Sequence, residues 1–193
     1  MLRLAANDAL ILVDVQNDFL PGGRLGVADG DAVVPLLNRY VAHFRAAGLP
    51  IVATRDWHPT GHCSFAAQGG PWPEHCVADS PGAAFAAGLE LPGDALIISK
   101  ADTVEADAYS GFQDTDLAEQ LRKQGVTRLF IGGLATDYCV LNTVSDALAA
   151  DFEVILLVDA VRAVDVEPGD GARAIDEMRA KGATTITVED IQP

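Results

Sequence analysis

Three residues whose types suit nucleophilic catalysis each follow a short apolar run in the sequence. Asp14 ends the first run, Lys100 directly follows another, and Cys139 lies shortly after a run that ends in two glycines. A thiol attacks as its thiolate, and a carboxylate within hydrogen-bond reach can take the thiol proton. An ammonium beside them keeps the carboxylate ionised and stabilises negative charge on sulfur. These residue types predict a nucleophile at Cys139, with Asp14 as general base and Lys100 as electrostatic partner.

Each of these residues also has a purely structural interpretation. A free cysteine is commonly a small buried apolar residue, an aspartate at a strand end caps the following turn, and a lysine after a strand is usually exposed. Cys139, however, stands near the start of a predicted helix, where unpaired N–H groups and the helix dipole favour a thiolate and can bind an oxyanion. The functional interpretation is favoured because all three residues are expected at one edge of the same sheet.

A second group of reactive residues lies in a long segment rich in Gly, Pro, His and Ala, at about residues 55–94. It contains Asp56, His58, His62 and His75, and imidazole with carboxylate is a ligand mixture that suits zinc, iron or manganese. Such a set leaves coordination positions open for water or substrate. The alternative is that these histidines make ordinary hydrogen bonds. His43, in the middle of a predicted helix with no partner nearby, is expected to be a surface or core-edge residue instead.

Short apolar runs alternate with amphipathic windows along the whole chain, and this pattern predicts an α/β fold. We expect a single three-layer α/β/α domain over residues 1–193, with a six-stranded, mostly parallel sheet. In such a sheet, ligands bind beyond the carboxyl ends of the strands, where the strand order reverses. The expected strands are 9–14, 51–54, 95–99, 128–131, 154–158 and 184–188, and the expected helices are 31–48, 116–124, 137–149 and 170–181.

The composition narrows the classes of partner. There are 28 Asp and Glu against 13 Lys and Arg, a formal net charge of −15. A surface with this much negative charge repels phosphate backbones and anionic lipids. We therefore expect neither nucleic acid nor a membrane as a partner. No apolar run approaches a membrane span, no signal peptide is visible, and three cysteines do not make a disulfide framework. A cytoplasmic protein that binds a small molecule is expected, and a homo-oligomer is left open.

The motifs together resemble the nicotinamidase branch of the isochorismatase-like cysteine hydrolases. They follow the family's order over nearly the whole chain, and their combination is far more specific than any one of them. The matching segments are Asp14–Phe19 (DVQNDF), Asp56–His62 (DWHPTGH), Trp72–Val77 (WPEHCV), Lys100, Tyr109–Phe112 (YSGF) and Gly133–Val140 (GLATDYCV).

The resemblance implies hydrolysis of nicotinamide to nicotinate and ammonia, with pyrazinamide as an analogue. It implies a triad of Asp14, Lys100 and Cys139, and a cis peptide before Ala135 that directs the N–H groups of Ala135 and Cys139 into an oxyanion hole. It further implies one divalent metal ion, zinc by expectation with iron or manganese as alternatives. Asp56, His58, His62 and His75 would hold this ion, while Phe19, Trp72, Tyr109 and Ala135 would surround the substrate.

Two other interpretations compete with this one. A carbamoyl or ureido amidohydrolase of the same superfamily would keep the triad but would not need the histidine group. A non-enzymatic zinc-binding or thiol-redox protein is disfavoured because no second cysteine lies near Cys139 in sequence to form a disulfide with it.

Overall fold

A computed structural model describes residues 1–192 of the chain; the predicted end of the domain, Pro193, lies outside the described residues. Within that range a single sheet contains six strands, all parallel, in the order β3-β2-β1-β4-β5-β6. The strands are β1 (Asp8–Val13), β2 (Ile51–Asp56), β3 (Leu96–Lys100), β4 (Arg128–Leu134), β5 (Glu153–Arg162) and β6 (Thr184–Ile186).

Helices cover both faces of this sheet. The helices are α1 (Val33–Ala46), α2 (Leu117–Lys123), α3 (Leu141–Ala149) and α4 (Asp170–Ala180). Leu37 and Phe44 of α1 belong to the apolar core on one face. Leu121 of α2, Val144 of α3 and Met178 of α4 belong to the core on the other face. The predicted three-layer α/β/α fold is confirmed. No helix among residues 1–192 is both long and apolar enough to cross a membrane.

Strand β1 illustrates how the sequence produces two cores. All six of its residues are buried, and successive side chains point to opposite faces of a strand. Leu10 and Leu12 therefore enter the core beneath α1, while Ile11 and Val13 enter the opposite core. Complete burial of such an aliphatic side chain stabilises the fold by about 1.5–3 kcal/mol. A continuous apolar run is the pattern expected for a parallel strand covered on both faces.

Several element boundaries differ from the predicted ones for local reasons. Residues Gly30–Ala32 form a 3₁₀ turn, so α1 begins at Val33 and Asp31 is not its N-cap. The helix expected from residue 137 begins instead as one turn of π-helix at Thr136–Val140, followed by α3. Strand β5 extends to Arg162 because its second half pairs with β4 beyond an irregularity in their register.

The strand order reverses between β1 and β4, because β2 and β3 lie on one side of this pair and β5 and β6 on the other. A crevice at the carboxyl ends of the strands is expected at this point. Gly133 of β4 has a positive φ of 125°, and a Cβ atom at this position would overlap the backbone of Val13. Glycine therefore allows β4 to approach β1 closely, just before the turn that carries Cys139.

Candidate active site

The ammonium of Lys100 lies at the centre of a buried polar cluster at this edge of the sheet. Its Nζ lies 2.9 Å from Asp14 Oδ2 and donates hydrogen bonds to Asp56 Oδ1 and, at 3.3 Å, to the carbonyl of Ala108. A weaker contact joins Nζ to Cys139 Sγ at 3.6 Å. Asp14, Asp56 and Cys139 each bring one acceptor atom within 4.8 Å of the other two. The lysine ammonium is thus the cation that these three groups share.

Asp14 follows β1 directly, and its Oδ1 is hydrogen-bonded while its Oδ2 makes only an ion pair. Its φ of 48° lies in the left-handed region, which aspartate tolerates better than most residues. Thr54 donates its hydroxyl to Asp14 Oδ1 at 2.6 Å. The contact of Oδ2 with Lys100 lacks the angles of a hydrogen bond, so Oδ2 has no hydrogen-bond partner among residues 1–192. Oδ2 therefore keeps a lone pair that is free to accept the proton of Cys139.

The pKa of the Cys139 thiol reflects burial more than its place near a helix start. Burial raises this pKa well above its usual range, and the charge of Lys100 offsets only part of the rise. Burial also raises the pKa of Asp14, again against the lowering effect of Lys100. The resting site therefore contains a thiol beside a carboxylate of increased proton affinity. Burial thus works against the thiolate that a helix start favours.

Lys100 and Asp56 each stabilise the charged form of the other. Burial lowers the pKa of Lys100, but the carboxylates of Asp14 and Asp56 outweigh it and hold this pKa well above the usual range. Burial raises the pKa of Asp56, but Lys100 and His58 outweigh it and lower the pKa overall. These shifts favour a charged Lys100 and a charged Asp56, whereas the raised pKa of Asp14 suits it to accept a proton.

Asp56, His58 and His75 form a group whose donor atoms fit a divalent metal ion. One ligand-type atom from each lies within 4.8 Å of the other two, and His75 Nε2 lies 4.0 Å from Asp56 Oδ2. His58 Nδ1 lies 2.9 Å from the His75 carbonyl, and His75 Nδ1 lies 2.7 Å from the Pro73 carbonyl. Because a carbonyl only accepts, both Nδ1 atoms carry hydrogen and both Nε2 atoms keep a free lone pair. Backbone contacts of this kind orient histidines that ligate metals.

His62 does not join this group, although the sequence predicted it as a fourth ligand. Its Nδ1 lies 2.8 Å from the Ser64 hydroxyl and its Nε2 lies 3.0 Å from the Ala106 carbonyl, so both ring nitrogens have partners. Its donor atoms fall in a different set, with His58 and Asp107. Three of the four predicted ligands, Asp56, His58 and His75, therefore form one group, and a ligand role for His62 stays a prediction.

A pocket of about 480 Å³, including its open mouth, lies over Cys139. The predicted substrate residues Phe19, Trp72, Tyr109 and Ala135 all line it. Trp72 donates its indole N–H to the Tyr109 hydroxyl at 2.9 Å, which joins two of the aromatic walls. Asp56, His58 and His75 line the same pocket.

Ala135, which directly precedes the π-helical turn, and Cys139, which lies within it, both line the pocket. The Leu134–Ala135 peptide bond is cis, as the resemblance implied. The carbonyl of Ala135 accepts the N–H groups of Tyr138 and Val140, each at 3.1 Å. This turn presents Cys139, which is 6% exposed, to the base of the pocket.

Four residues contribute to the site but were not predicted individually. Tyr138 is an additional aromatic wall, and its ring lies 5.2 Å from that of Trp72. The amide of Gln16 bonds to the N–H and the carbonyl of Asp56, both at 2.8 Å. Thr54 anchors Asp14, and Asp18 accepts the Cys76 N–H at 2.7 Å. Gln16, Asp18 and Tyr138 lie within the recognised motifs, and this position in a motif could have identified them as site residues. Nothing in the sequence around Thr54 indicated its role.

Comparison with known proteins assigns this site to a family. The profile of the isochorismatase domain matches residues 8–190, so the chain belongs to the isochorismatase family. The chain is 39% identical over 203 residues to the nicotinamidase of Escherichia coli strain K12, an alignment that covers 94% of this chain and 95% of the relative. The predicted resemblance and the predicted enzyme class, a hydrolase that acts on an amide, are confirmed.

Solved structures show the same relationship. The pyrazinamidase of Pyrococcus horikoshii in complex with zinc is similar with a TM-score of 0.90 and 51% identity, over 94% of this chain and 99% of that one. PnC1 from L. infantum in complex with nicotinate is similar with a TM-score of 0.89 and 38% identity, over 97% and 96% of the two chains.

Proposed function

We propose that this protein hydrolyses nicotinamide to nicotinate and ammonia through a thioester on Cys139. The observation that carries the proposal is one buried ammonium, that of Lys100, in contact with both a carboxylate and a thiol at the base of an aromatic pocket. The nicotinamidase and pyrazinamidase relatives support nicotinamide as the substrate. The pocket suits a flat ring with one carboxamide, since its walls are aromatic and its reactive groups lie at one end.

Asp56, His58 and His75 would hold a single divalent ion. When bound, the ion would supply a Lewis-acidic contact for the ring nitrogen of nicotinamide, directly or through a water. Two imidazoles and one carboxylate leave open positions for such a contact. Zinc is the expected ion, which the zinc complex of the Pyrococcus relative supports, and the same donor set also suits iron.

Acyl transfer would begin with the proton of the Cys139 thiol. Asp14 takes this proton on Oδ2 as sulfur forms a bond to the carboxamide carbon. Lys100 compensates the charge on the carboxylate and on sulfur. The oxyanion would accept hydrogen bonds from the backbone N–H groups of Ala135 and Cys139, and loss of one such donor costs about 3 kcal/mol of barrier in other enzymes.

Release of the two products returns the site to its starting state. Asp14 gives its proton to the amide nitrogen as the C–N bond breaks and ammonia leaves. A water molecule then attacks the thioester while Asp14 takes one of its protons. As the C–S bond breaks, sulfur departs and recovers the proton, so that Cys139 is again a thiol and Asp14 again a carboxylate.

The experiment measures ammonia released from nicotinamide, pyrazinamide, a ureido acid and a simple amide. We expect turnover of the first two, and Cys139→Ala should abolish it while nicotinamide still binds in a calorimetric titration. Acid quenching of the working enzyme should leave a nicotinoyl group on Cys139, detected by peptide mass spectrometry. Cys63→Ala is the matched control, and it should keep full activity.

Two outcomes would reject parts of the proposal. Full turnover by Cys139→Ala would reject the thioester. Turnover of the ureido acid in preference to nicotinamide would favour the ureido hydrolase alternative.

We also propose a cytoplasmic location, supported by the three free cysteines Cys63, Cys76 and Cys139.

A further inference from the structure

We propose that His62 is a positioning residue that holds segment 101–108 against the pocket, and that it is not a metal ligand. The hydrogen bond from His62 Nε2 to the Ala106 carbonyl makes this connection. The inference deepens the proposed function, since the segment ends in residues that line the proposed substrate pocket.

The hydrogen bonds of His62 determine its tautomer. The Ala106 carbonyl only accepts, so Nε2 must carry the hydrogen. Nδ1 is then an acceptor, and it lies 3.3 Å from the Ser64 N–H and 2.8 Å from the Ser64 hydroxyl. This is the reverse of His58 and His75, in which Nδ1 donates and Nε2 is free. Since His62 is fully buried, a lone pair on Nε2 would require breaking the bond to Ala106 inside the protein.

Segment 101–108 has few other connections to the rest of the molecule. Residues 102–106 are all exposed. Beside the His62 bond, the Cys63 N–H donates to the Val104 carbonyl at 2.8 Å, so two successive residues hold the same segment. Within the segment, Thr103 and Ala106 form an isolated antiparallel bridge. Loss of the His62 contact therefore leaves mainly a single backbone bond to the long β2–β3 connection.

The segment contributes both to the lining of the pocket and to the hydrogen bonds of Lys100. Asp107 and Ala108 line the pocket directly, and Tyr109 follows as one of its aromatic walls. The carbonyl of Ala108 also accepts a hydrogen bond from Lys100 Nζ at 3.3 Å. By fixing Ala106, His62 therefore positions both a wall of the substrate pocket and an acceptor for the central ammonium.

The test compares His62→Ala and His62→Gln with His58→Ala in the full chain. Each protein is loaded with zinc, freed of excess metal, and measured for zinc content, for amide hydrogen exchange of residues 101–109 and Cys63, and for nicotinamide kinetics. The loss of one buried hydrogen bond shifts an equilibrium by about fivefold. We expect His62→Ala to exchange about fivefold faster in these amides and to show a KM raised by about the same factor, with a smaller change in kcat. Its zinc content should equal that of the unsubstituted protein, whereas His58→Ala should lose zinc.

His62→Gln separates the positioning role from general damage to the fold. The amide nitrogen of glutamine stands close to the place of Nε2 and donates to the same carbonyl, so this variant should recover slow exchange and a low KM while keeping its zinc. His43→Gln, at a half-buried position of α1 outside the pocket, is the matched control and should match the unsubstituted protein.

Loss of zinc from either His62 variant to the extent seen in His58→Ala would show that His62 is a ligand and overturn the proposal. Unchanged exchange of residues 101–109 in His62→Ala would also overturn it. Zinc content and hydrogen exchange do not depend on the substrate, so they decide on His62 even if nicotinamide is not hydrolysed.

Discussion

The buried ammonium of Lys100 offers a direct test of the charge balance in this site, through the substitution Lys100→Met. Methionine has a similar length and suits an apolar interior, but it cannot compensate Asp14 and Asp56. The Lys100 and Asp14 side chains are fully buried and that of Asp56 is 7% exposed, so solvent cannot replace the missing charge. The variant should therefore be destabilised as well as inactive.

The size of the effect follows from the burial. Removal of one partner from a buried ion pair costs about 3–5 kcal/mol, because it leaves an uncompensated charge. A chain of this size loses about 2–4 °C of Tm for each kcal/mol, so Lys100→Met should melt about 6–20 °C lower. The double variant Lys100→Met/Asp14→Asn removes one of the two uncompensated carboxylates. It should recover about half of the loss although it remains inactive.

Thermal unfolding is measured by circular dichroism in the presence of a chelator, so that no metal ion compensates Asp56. The matched control is Lys123→Met, which removes an ion pair with Glu119 at 2.7 Å whose side chains are 70% and 67% exposed. Exposed pairs of this kind contribute less than about 1 kcal/mol, so its Tm should change by only a few degrees. If Lys100→Met melts no lower than this control, or if the double variant melts below the single one, the account of the charge cluster is wrong.

Three further perturbations have defined expectations. Gly133→Ala should fail to accumulate as folded protein, because its Cβ would overlap the Val13 backbone and φ is positive; normal solubility and Tm would contradict the tight packing of β4 on β1. Asp137→Ala removes the acceptor for two N–H groups of residues 164–165, both at 2.9 Å, and should cost about 1–3 kcal/mol in urea unfolding; Asp137→Asn should lose less. Dialysis against a chelator should abolish most nicotinamide turnover, and added zinc should restore it in the unsubstituted protein but not in His58→Ala.

Most of the fold was predictable because it depends on local pattern. Buried parallel strands are continuous apolar runs, and the helices between them show the 3.6-residue period, so both were recognised without knowledge of their partners. The boundaries were less predictable, because they depend on pairing. The extension of β5 to Arg162, for example, exists only because residues 161–162 meet Gly133 and Leu134 of β4. The single-domain organisation over residues 1–193 stays a prediction.

The part of the candidate site that lies at the carboxyl ends of the strands was predictable from the sequence. Asp14 follows β1, Lys100 ends β3 and Cys139 comes after β4, and the carboxyl ends of such parallel strands meet at one edge. The catalytic roles of these residues stay predictions, although the structure brings the three side chains together. The hydrogen-bond partner of His62 was not predictable in the same way, since the Ala106 carbonyl comes from a distant part of the chain.

The amino-acid sequence by itself determined the α/β class, the family and the residue types available for chemistry, because these depend on periodicity and on short motifs. Only the tertiary structure decided how these residues divide their tasks. It placed Asp56 beside both Lys100 and His75, gave His58 and His62 opposite tautomers, and raised the pKa of the Cys139 thiol by burial. The physical reason is that the charge and hydrogen-bonding role of a buried group depend on the atoms around it, and those atoms come from segments that are distant in sequence.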